Sequence, residues 1–210
     1  MANTSRINGF RPVKMITGAP YNGQGTMCYV YSASGNLGVG DVVKLEDRST
    51  NAVSIGVPTV DLAAAGDAAY GVILGIINAK LDPVTGTLTT GSIALDTPQY
   101  VASGASGYVI VETDPNVVYS VEASNGTPTN RNIGLNINHA NGTFSTTTGT
   151  SNATIDFGTE AATATLTFKI LGLDSTIGNE IGASARMLVK INNHQLGSST
   201  GTAGVGGVTA

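Results

Sequence analysis

Histidine is the side chain most often used for proton transfer near neutral pH, and this chain of 210 residues contains two. His139 lies in the turn-rich segment NINHANG, and His194 lies in INNHQL, just after an expected strand. No serine lies in a GxSxG nucleophile elbow, and neither histidine has an acidic residue at a fixed catalytic spacing. We therefore expect each histidine to lie at the surface or to satisfy a turn, and we predict no catalytic residue.

The acidic residues and the single cysteine, Cys28, give no metal motif. Most aspartates neighbour Gly, Pro or Thr, where an Asp side chain typically caps a turn. No DxDxDG loop or HExxH motif occurs, and one cysteine can form neither a CxxC site nor an internal disulfide. The GxG at Gly38–Gly40 enters a strand, so it predicts a turn and not a phosphate site. We expect no metal, no cofactor and no enzymatic activity.

Charge is scarce and unevenly placed along the chain. The net charge is −4, and Arg6, Arg11 and Lys14 are the only charged residues before Asp41, so the first 40 residues carry +3 and the remainder −7. This balance favours docking on an acidic protein surface over direct nucleic-acid binding. The chain has no signal-peptide core and no apolar run of about 18 residues, so we expect synthesis in the cytoplasm and no membrane contact.

The composition predicts a β-rich protein with a neutral surface. Charged residues make up 11% of the chain and hydrophobic residues 41%, with 28 glycines. Such a surface has little electrostatic repulsion to keep it monomeric, so protein partners are expected. Ten of the 25 positions from 143 to 167 are threonine, which predicts exposed sheet faces there, with Thr165 and Thr167 facing solvent.

The segment Tyr108–Glu122 is where the two halves of the chain meet. Tyr108–Val111 is a continuous apolar run, as in a strand covered on both faces, whereas Val117–Glu122 alternates, as in a strand with one wet face. Asp114–Pro115 interrupts the ladder, because proline cannot donate a backbone hydrogen bond. The pattern predicts a strand, a corner and a second strand.

The fold class predicted from these patterns is all-β. We expect an extended N-terminal arm over residues 1–25, a small β-barrel or sandwich over 26–113, a second sandwich-like β domain over 114–196, and a Gly/Thr-rich tail over 197–210. The first half is expected to be closed or nearly closed. Only Asp61–Ala69 has the alanine density for a short helix.

Several segments resemble, in amino-acid sequence and in their order along the chain, segments of the capsid decoration, or cement, proteins of tailed bacteriophages. The matching segments are NGFRPVKMITGAPYNGQGTMCYV, VGDVVKLED, GVPTVDLAAAGDAAYGVILGI, DPNVVYSVE and VKINNHQL. The resemblance implies an all-β virion structural protein that binds the outside of an icosahedral head, often as a homotrimer, and bridges subunits of the major capsid protein. We expect Arg6, Phe10, Arg11 and Lys14 of the arm to contact the capsid.

Two other functions remain open at this point. A head or tail fibre module that binds host glycans would need exposed aromatic rings, for which Tyr100, Tyr108, Tyr119 and Phe144 are the candidates. A β-fold hydrolase would have to use His139 or His194. The sequence leaves open the symmetry axis, the choice between trimer and dimer, the host, and whether the halves form one β body or two.

Overall fold

The computed structural model describes residues 3–46, 56–77, 79–81, 88–90 and 99–197 of the chain. Every regular element in these residues is a β-strand, apart from one turn of 3₁₀-helix at Asn130–Asn132. The all-β prediction is therefore confirmed. Nearly all of the C-terminal tail expected over residues 197–210 lies outside the described residues.

The first half forms a five-stranded antiparallel sheet in the order β2-β8-β5-β3-β4. Its strands are β2 (Thr26–Val30), β3 (Val42–Leu45), β4 (Val60–Leu62), β5 (Gly71–Ile77) and β8 (Gly107–Glu112). The backbone N–H of Tyr29 in β2 donates to the carbonyl of Pro58, just before β4, at 2.9 Å. A parallel bridge between Tyr29 and Thr59 adds to this contact, so the sheet is nearly closed, as predicted. Strands β6 (Ala79–Leu81) and β7 (Leu88–Thr90) form a separate antiparallel pair.

The second half is built on a closed ring of five strands. These are β9 (Val117–Ser124), β10 (Asn136–Ala140), β11 (Thr154–Ala161), β12 (Phe168–Leu173) and β13 (Arg186–Ile191). They pair in the order β9-β11-β10-β12-β13, and β13 pairs again with β9. The parallel pairing of β11 with β9 uses only Ala123 and Ser124, so the beginning of β9 has an edge available for another strand.

A strand that the sequence analysis missed occupies this edge. Strand β1 (Arg11–Met15) pairs antiparallel with β9, from Arg11 opposite Ser120 to Met15 opposite Val117. The expectation of a separate extended arm over residues 1–25 is therefore wrong for its central part. This segment adds a strand to a sheet of its own chain.

The corner between the halves is confirmed, and its hydrogen bonds are local. The backbone N–H of Asp114 donates to Oε1 of Glu112 at 2.9 Å, and the N–H of Asn116 donates to Oδ1 of Asp114 at 2.7 Å. The N–H of Val117 donates to the carbonyl of Asp114 at 3.2 Å. These bonds satisfy backbone groups where Pro115 interrupts the ladder, so β8 in one sheet leads directly into β9 in the other.

The face of β9 that was predicted to be exposed to solvent, which carries Ser120 and Glu122, is covered by the N-terminal segment of the same chain. Glu122 is only 4% exposed, and its Oε2 accepts the backbone N–H of Arg6 at 2.6 Å. The Arg186 guanidinium donates to the carbonyl of Arg6 at 3.3 Å and to Oδ1 of Asn8 at 3.0 Å. Ser120, also buried, hydrogen-bonds to Asp174. The prediction failed because period two describes one strand and does not show what crosses over it.

Phe10 joins the N-terminal segment to the core. Its side chain is 1% exposed and stacks on Phe168, with ring centroids 4.5 Å apart. Its backbone N–H donates to the carbonyl of Gly40 in the first half at 2.9 Å. Gly9 has a φ of +70°, and a Cβ there would lie 2.7 Å from the Gly40 oxygen, so this approach requires glycine. The expectation that Phe10 contacts a capsid is therefore wrong.

Side chains of the first half enter the core of the second half across the predicted boundary at residue 114, and the first sheet also encloses a separate buried cluster of its own. Val42, Ala63, Ala69 and Val72 of the first half pack in the same buried cluster as Phe10 and the inward side chains of the second sheet. Backbone bonds connect the halves as well, since the N–H of Ala69 donates to the carbonyl of Asn193 at 2.9 Å. The two larger sheets are therefore joined by a shared buried cluster and by backbone hydrogen bonds.

Two local predictions fail where the two halves of the chain contact each other, a region called the seam below. Asp61–Ala69 is not a helix but the end of β4 followed by a turn, and its Ala63 and Ala69 are fully buried in the shared core. Thr167 is fully buried, and its hydroxyl donates to the carbonyl of Asp67 in the first half at 3.0 Å. Both segments lie against the other half of the chain, which residue patterns within one segment cannot show.

A buried acid, Asp41, also lies at the seam. It is 5% exposed, and its Oδ2 accepts the backbone N–H of Gly38 at 2.8 Å. Burial raises the pKa of its carboxyl from 3.8 to about 6, although hydrogen bonds from the Ser151 side chain and the Gly38 backbone oppose the rise. Ser151 belongs to the second half, so this hydrogen bond connects the two sheets.

Replacing Phe10 with alanine should destabilise the isolated protein by about 3–5 kcal/mol, because it leaves a cavity in a fully buried aromatic site. Val13→Ala is the matched control in the same segment, since Val13 is 46% exposed, and it should change stability by less than about 0.5 kcal/mol. Chemical denaturation of both variants measures the difference. Equal, small effects would show that the Phe10 ring is not part of the core.

Asp41→Asn should stabilise the protein more at pH 7.5 than at pH 4.5. The folded state holds the Asp41 proton more tightly than the unfolded chain does, so the stability contributed by Asp41 falls as pH rises between about 4 and about 6 and stays low above that range. Asparagine does not ionise and keeps an acceptor for Gly38. We expect the increase in the free energy of unfolding, variant over native protein, to be about 2 kcal/mol larger at pH 7.5 than at pH 4.5. Denaturation at both pH values measures it. A gain independent of pH, or larger at pH 4.5, would contradict this.

Candidate binding surface

Three of the four residues expected to contact a capsid are exposed, and they lie on the N-terminal segment. Arg6, Arg11 and Lys14 have exposed side chains, whereas Phe10 is buried. The backbone around Arg6 is held by Glu122 and Arg186, and Arg11 and Lys14 belong to β1. The cations are thus carried by backbone that the body of the protein fixes in place.

Three aliphatic side chains that the sequence analysis did not select are exposed beside these cations. Ile7, Val13 and Ile16 are 42%, 46% and 45% exposed. A register shift between Pro12 and Lys14 makes Val13 an extra residue in β1, and Val13 and Lys14 are both exposed as a result. The one sequence signal for this arrangement is Pro12, because proline within a strand indicates an edge. We call the exposed side chains of this segment the N-terminal surface: Arg6, Ile7, Arg11, Val13, Lys14 and Ile16.

The four aromatic candidates do not form one platform. Tyr119 is fully buried and Tyr108 is 4% exposed, so the expectation that they face solvent is wrong. Tyr100 and Phe144 are half-buried and pack together with ring centroids 5.3 Å apart. A Cβ on Gly38 would lie 2.6 Å from Cε2 of Phe144, so this ring packs directly over the Gly38 backbone of the first half.

The histidines are buried and lie in different surroundings. His139 lies in β10 against Phe10 and Phe168, with Nε2 3.1 Å from the carbonyl of Ala63, and burial lowers its pKa. His194 stacks on Tyr70, its Nδ1 accepts the backbone N–H of Leu196 at 3.1 Å, and burial lowers its pKa as well.

The surface position expected for the histidines is wrong for both, while the turn-satisfying role holds for His194. Neither imidazole hydrogen-bonds to a side-chain hydroxyl or carboxyl among the described residues.

A cavity of about 500 Å³ opens between the loop that follows β1 and the corner between the halves. The loop is held by the backbone N–H of Ile16, which donates to the carbonyl of Asn116 at 2.8 Å, and by the N–H of Met15, which donates to the carbonyl of Ala19 at 3.1 Å. Gly18 takes a φ of +86° in this turn. The cavity is lined by Met15, Ala19, Pro20, Tyr21, Asn22, Gln24, Gly25, Thr26, Glu112, Thr113, Asp114 and Val117.

Two carboxyl groups and two tyrosines meet around this cavity. Glu112 is 5% exposed, and Asp114 is half-buried at the corner. Burial, and then the neighbouring Glu112, raise the pKa of the Tyr21 hydroxyl. Burial also raises the pKa of Tyr119 well above its ordinary value, with further contributions from Glu112, Tyr21 and Asp114. The Tyr119 hydroxyl therefore lies near three residues of the cavity wall.

Over the described ranges, no three or more His, Cys, Asp or Glu residues are grouped so that they could hold a metal ion. Within the same ranges, no helix is long and apolar enough to span a membrane.

No protein-family model, no curated protein and no solved structure matches this chain.

Proposed function

We propose that this protein is a non-enzymatic capsid decoration protein, which binds the outer surface of a bacteriophage head and stabilises the shell by bridging neighbouring capsid subunits. The observation that carries the proposal is the N-terminal surface, on which cationic and aliphatic side chains are exposed along a segment fixed to the body of the protein. The resemblance of five segments to the decoration family, described above, adds support.

The chemistry of the N-terminal surface suits a protein partner with acidic groups. Arg6, Arg11 and Lys14 give the first 40 residues a charge of +3, against −7 for the remainder. Opposite charges across an interface speed association and fix its register. Ile7, Val13 and Ile16 would then lose their solvent exposure on contact, and each buried aliphatic side chain contributes about 1.5–3 kcal/mol before the costs of binding.

The fixed backbone of this segment lowers the cost of binding. A segment that is already ordered does not lose further backbone entropy when it docks, so more of the interaction energy becomes affinity.

A shell offers many identical sites, and a homotrimer would present three such surfaces, so individually modest contacts would add up through avidity. Binding to the assembled shell and not to dissociated subunits would stabilise the shell by mass action. The protein would be made in the host cytoplasm and act on the virion surface.

A glycan-binding head or tail fibre module is the second candidate, and the Tyr100–Phe144 pair favours it. These rings are half-buried and leave part of their faces accessible. With Tyr108 and Tyr119 buried, the aromatic surface is smaller than the sequence suggested. Selective binding on a glycan array, without retention on phage heads, would favour this candidate over capsid decoration.

Reversing one charge of the N-terminal surface should weaken binding to purified heads. Arg11→Glu places an acid in the proposed contact, and we expect about a tenfold loss of apparent affinity at low salt and a smaller loss at high salt. The matched control is Arg131→Glu, an equal charge change at an exposed site in the 3₁₀ turn of the second half. Co-sedimentation with heads at two salt concentrations measures both variants. Equal retention of the two, or retention of neither the native protein nor the control, would overturn the proposal.

A further inference from the structure

The chain contains four Asn–Gly pairs, which begin at Asn8, Asn22, Asn125 and Asn141. Glycine has no side chain to shield its backbone nitrogen, so in such a pair this nitrogen can attack the side-chain carbonyl carbon of the asparagine before it. The attack needs an asparagine side chain that can turn and a backbone with room to close a five-membered ring. All four pairs lie among the described residues, so the structure shows which of them meets both conditions.

The side-chain amides of three of these asparagines are hydrogen-bonded to other parts of the fold. Oδ1 of Asn8 accepts from the Arg186 guanidinium at 3.0 Å. Nδ2 of Asn125 donates to Oδ1 of Asp156 at 2.8 Å. Nδ2 of Asn141 donates to a backbone carbonyl of the first half at 2.7 Å. Each of these amides must break its hydrogen bond before it can turn toward the next backbone nitrogen.

The glycines that follow these three asparagines are closely packed as well. A Cβ on Gly9 would lie 2.7 Å from the Gly40 oxygen, and a Cβ on Gly126 would lie 2.7 Å from Cβ of Phe157. A Cβ on Gly142 would overlap a neighbouring backbone oxygen. Because other atoms lie this close to the backbone, it cannot rotate toward the ring geometry unless the surrounding structure opens.

The pair Asn22–Gly23 differs from the others in both respects. Asn22 is exposed, and its side chain hydrogen-bonds to no residue in the described ranges. Gly23 has a φ of +74°, and no neighbouring atom lies within 4 Å of the position that a Cβ would take. The pair belongs to the loop that follows β1. Its side chain and its backbone therefore both have room to move.

We propose that Asn22 is a site of spontaneous covalent modification, at which the side-chain amide is converted to a carboxylate. The Gly23 nitrogen loses its proton to solvent base and attacks Cγ of Asn22, forming a new C–N bond. The bond from Cγ to Nδ2 breaks, and the amide nitrogen leaves as ammonia. Water then opens the resulting succinimide ring and leaves an aspartate or an isoaspartate at this position. The conversion consumes one water and needs no oxidant or reductant.

The modification adds one negative charge to the wall of the cavity beside β1. Asn22 lines this cavity together with Glu112 and Asp114, so the new carboxylate joins two acids. We expect the modified protein to elute later than the native protein from an anion-exchange column. The inference goes beyond the proposed function, since the reaction needs only the folded chain and water and no partner.

The test is peptide mapping by mass spectrometry of the full-length protein during incubation in mildly alkaline buffer. We expect Asn22 to convert at least about tenfold faster than any of the other three asparagines, because those react only through local openings of the structure. The same incubation in urea should bring all four pairs to comparable rates, since the fold no longer restrains them. Asn22→Gln keeps a neutral amide on a longer side chain. It should abolish both the conversion at this position and the later-eluting species, while the other three pairs behave as in the native protein.

Three results would overturn the inference. They are conversion of all four pairs at equal rates in the folded protein, faster conversion at any of the three other pairs, and an unchanged Asn22 over a period in which the unfolded chain converts. The same selectivity for Asn22 in urea would also overturn it, because the fold would then not be the cause. None of these measurements uses phage heads, so they separate this inference from the proposed function.

Discussion

Burial of the Phe10 ring between the two sheets is the contact on which the rest of the arrangement depends. The ring stacks on Phe168 of the second sheet, while its backbone N–H bonds to Gly40 of the first half. A fully buried phenylalanine contributes about 1.5–3 kcal/mol, whereas an exposed ion pair contributes about 0–1 kcal/mol. Phe10 therefore fixes the path of the N-terminal segment more strongly than its cations could. Once that path is set, β1 lies along β9, and Arg6 and Asn8 lie over Glu122 and Arg186.

The proposed function follows from where this segment is held and from what it leaves exposed. Its inward residues complete the core and cover β9, so its outward cations and aliphatic side chains form a surface of fixed shape. The loop that continues from β1 meets the corner between the halves and encloses the cavity with Glu112 and Asp114. One segment thus carries the exposed cations, and the loop that continues from it supplies one wall of the cavity.

Local patterns predicted most strands of this fold and few of its long-range contacts. The strand patterns at Tyr108–Val111 and Val117–Glu122 lie within β8 and β9, and the corner at Asp114–Pro115 is where proline chemistry placed it. Apolar runs and turn residues are local signals, so they identify strands. They do not show which strand crosses another, and for this reason Tyr119, His139 and Thr167 were expected at the surface and are buried.

The candidate surface was predictable in part for the same reason. Arg6, Arg11 and Lys14 could be selected because charged side chains stay exposed in almost any fold. Ile7, Val13 and Ile16 could not, since aliphatic residues are normally buried and only the bulge and edge position of β1 expose them. Phe10 was selected wrongly, because a phenylalanine between Gly9 and Arg11 carries no local sign of the core it enters. The cavity needs a loop and a corner about 90 residues apart in sequence, which no local pattern joins.

The central claim is that the body of the same chain fixes the N-terminal segment before any partner binds. Native-state hydrogen exchange on the isolated protein tests this most directly, through the Phe10 amide bonded to Gly40 and the Ile16 amide bonded to Asn116. The account predicts that both amides exchange only through openings nearly as costly as global unfolding, as the amides of β13 do. Exchange of Phe10 and Ile16 close to the rate of an unstructured peptide, with β13 still protected, would contradict it.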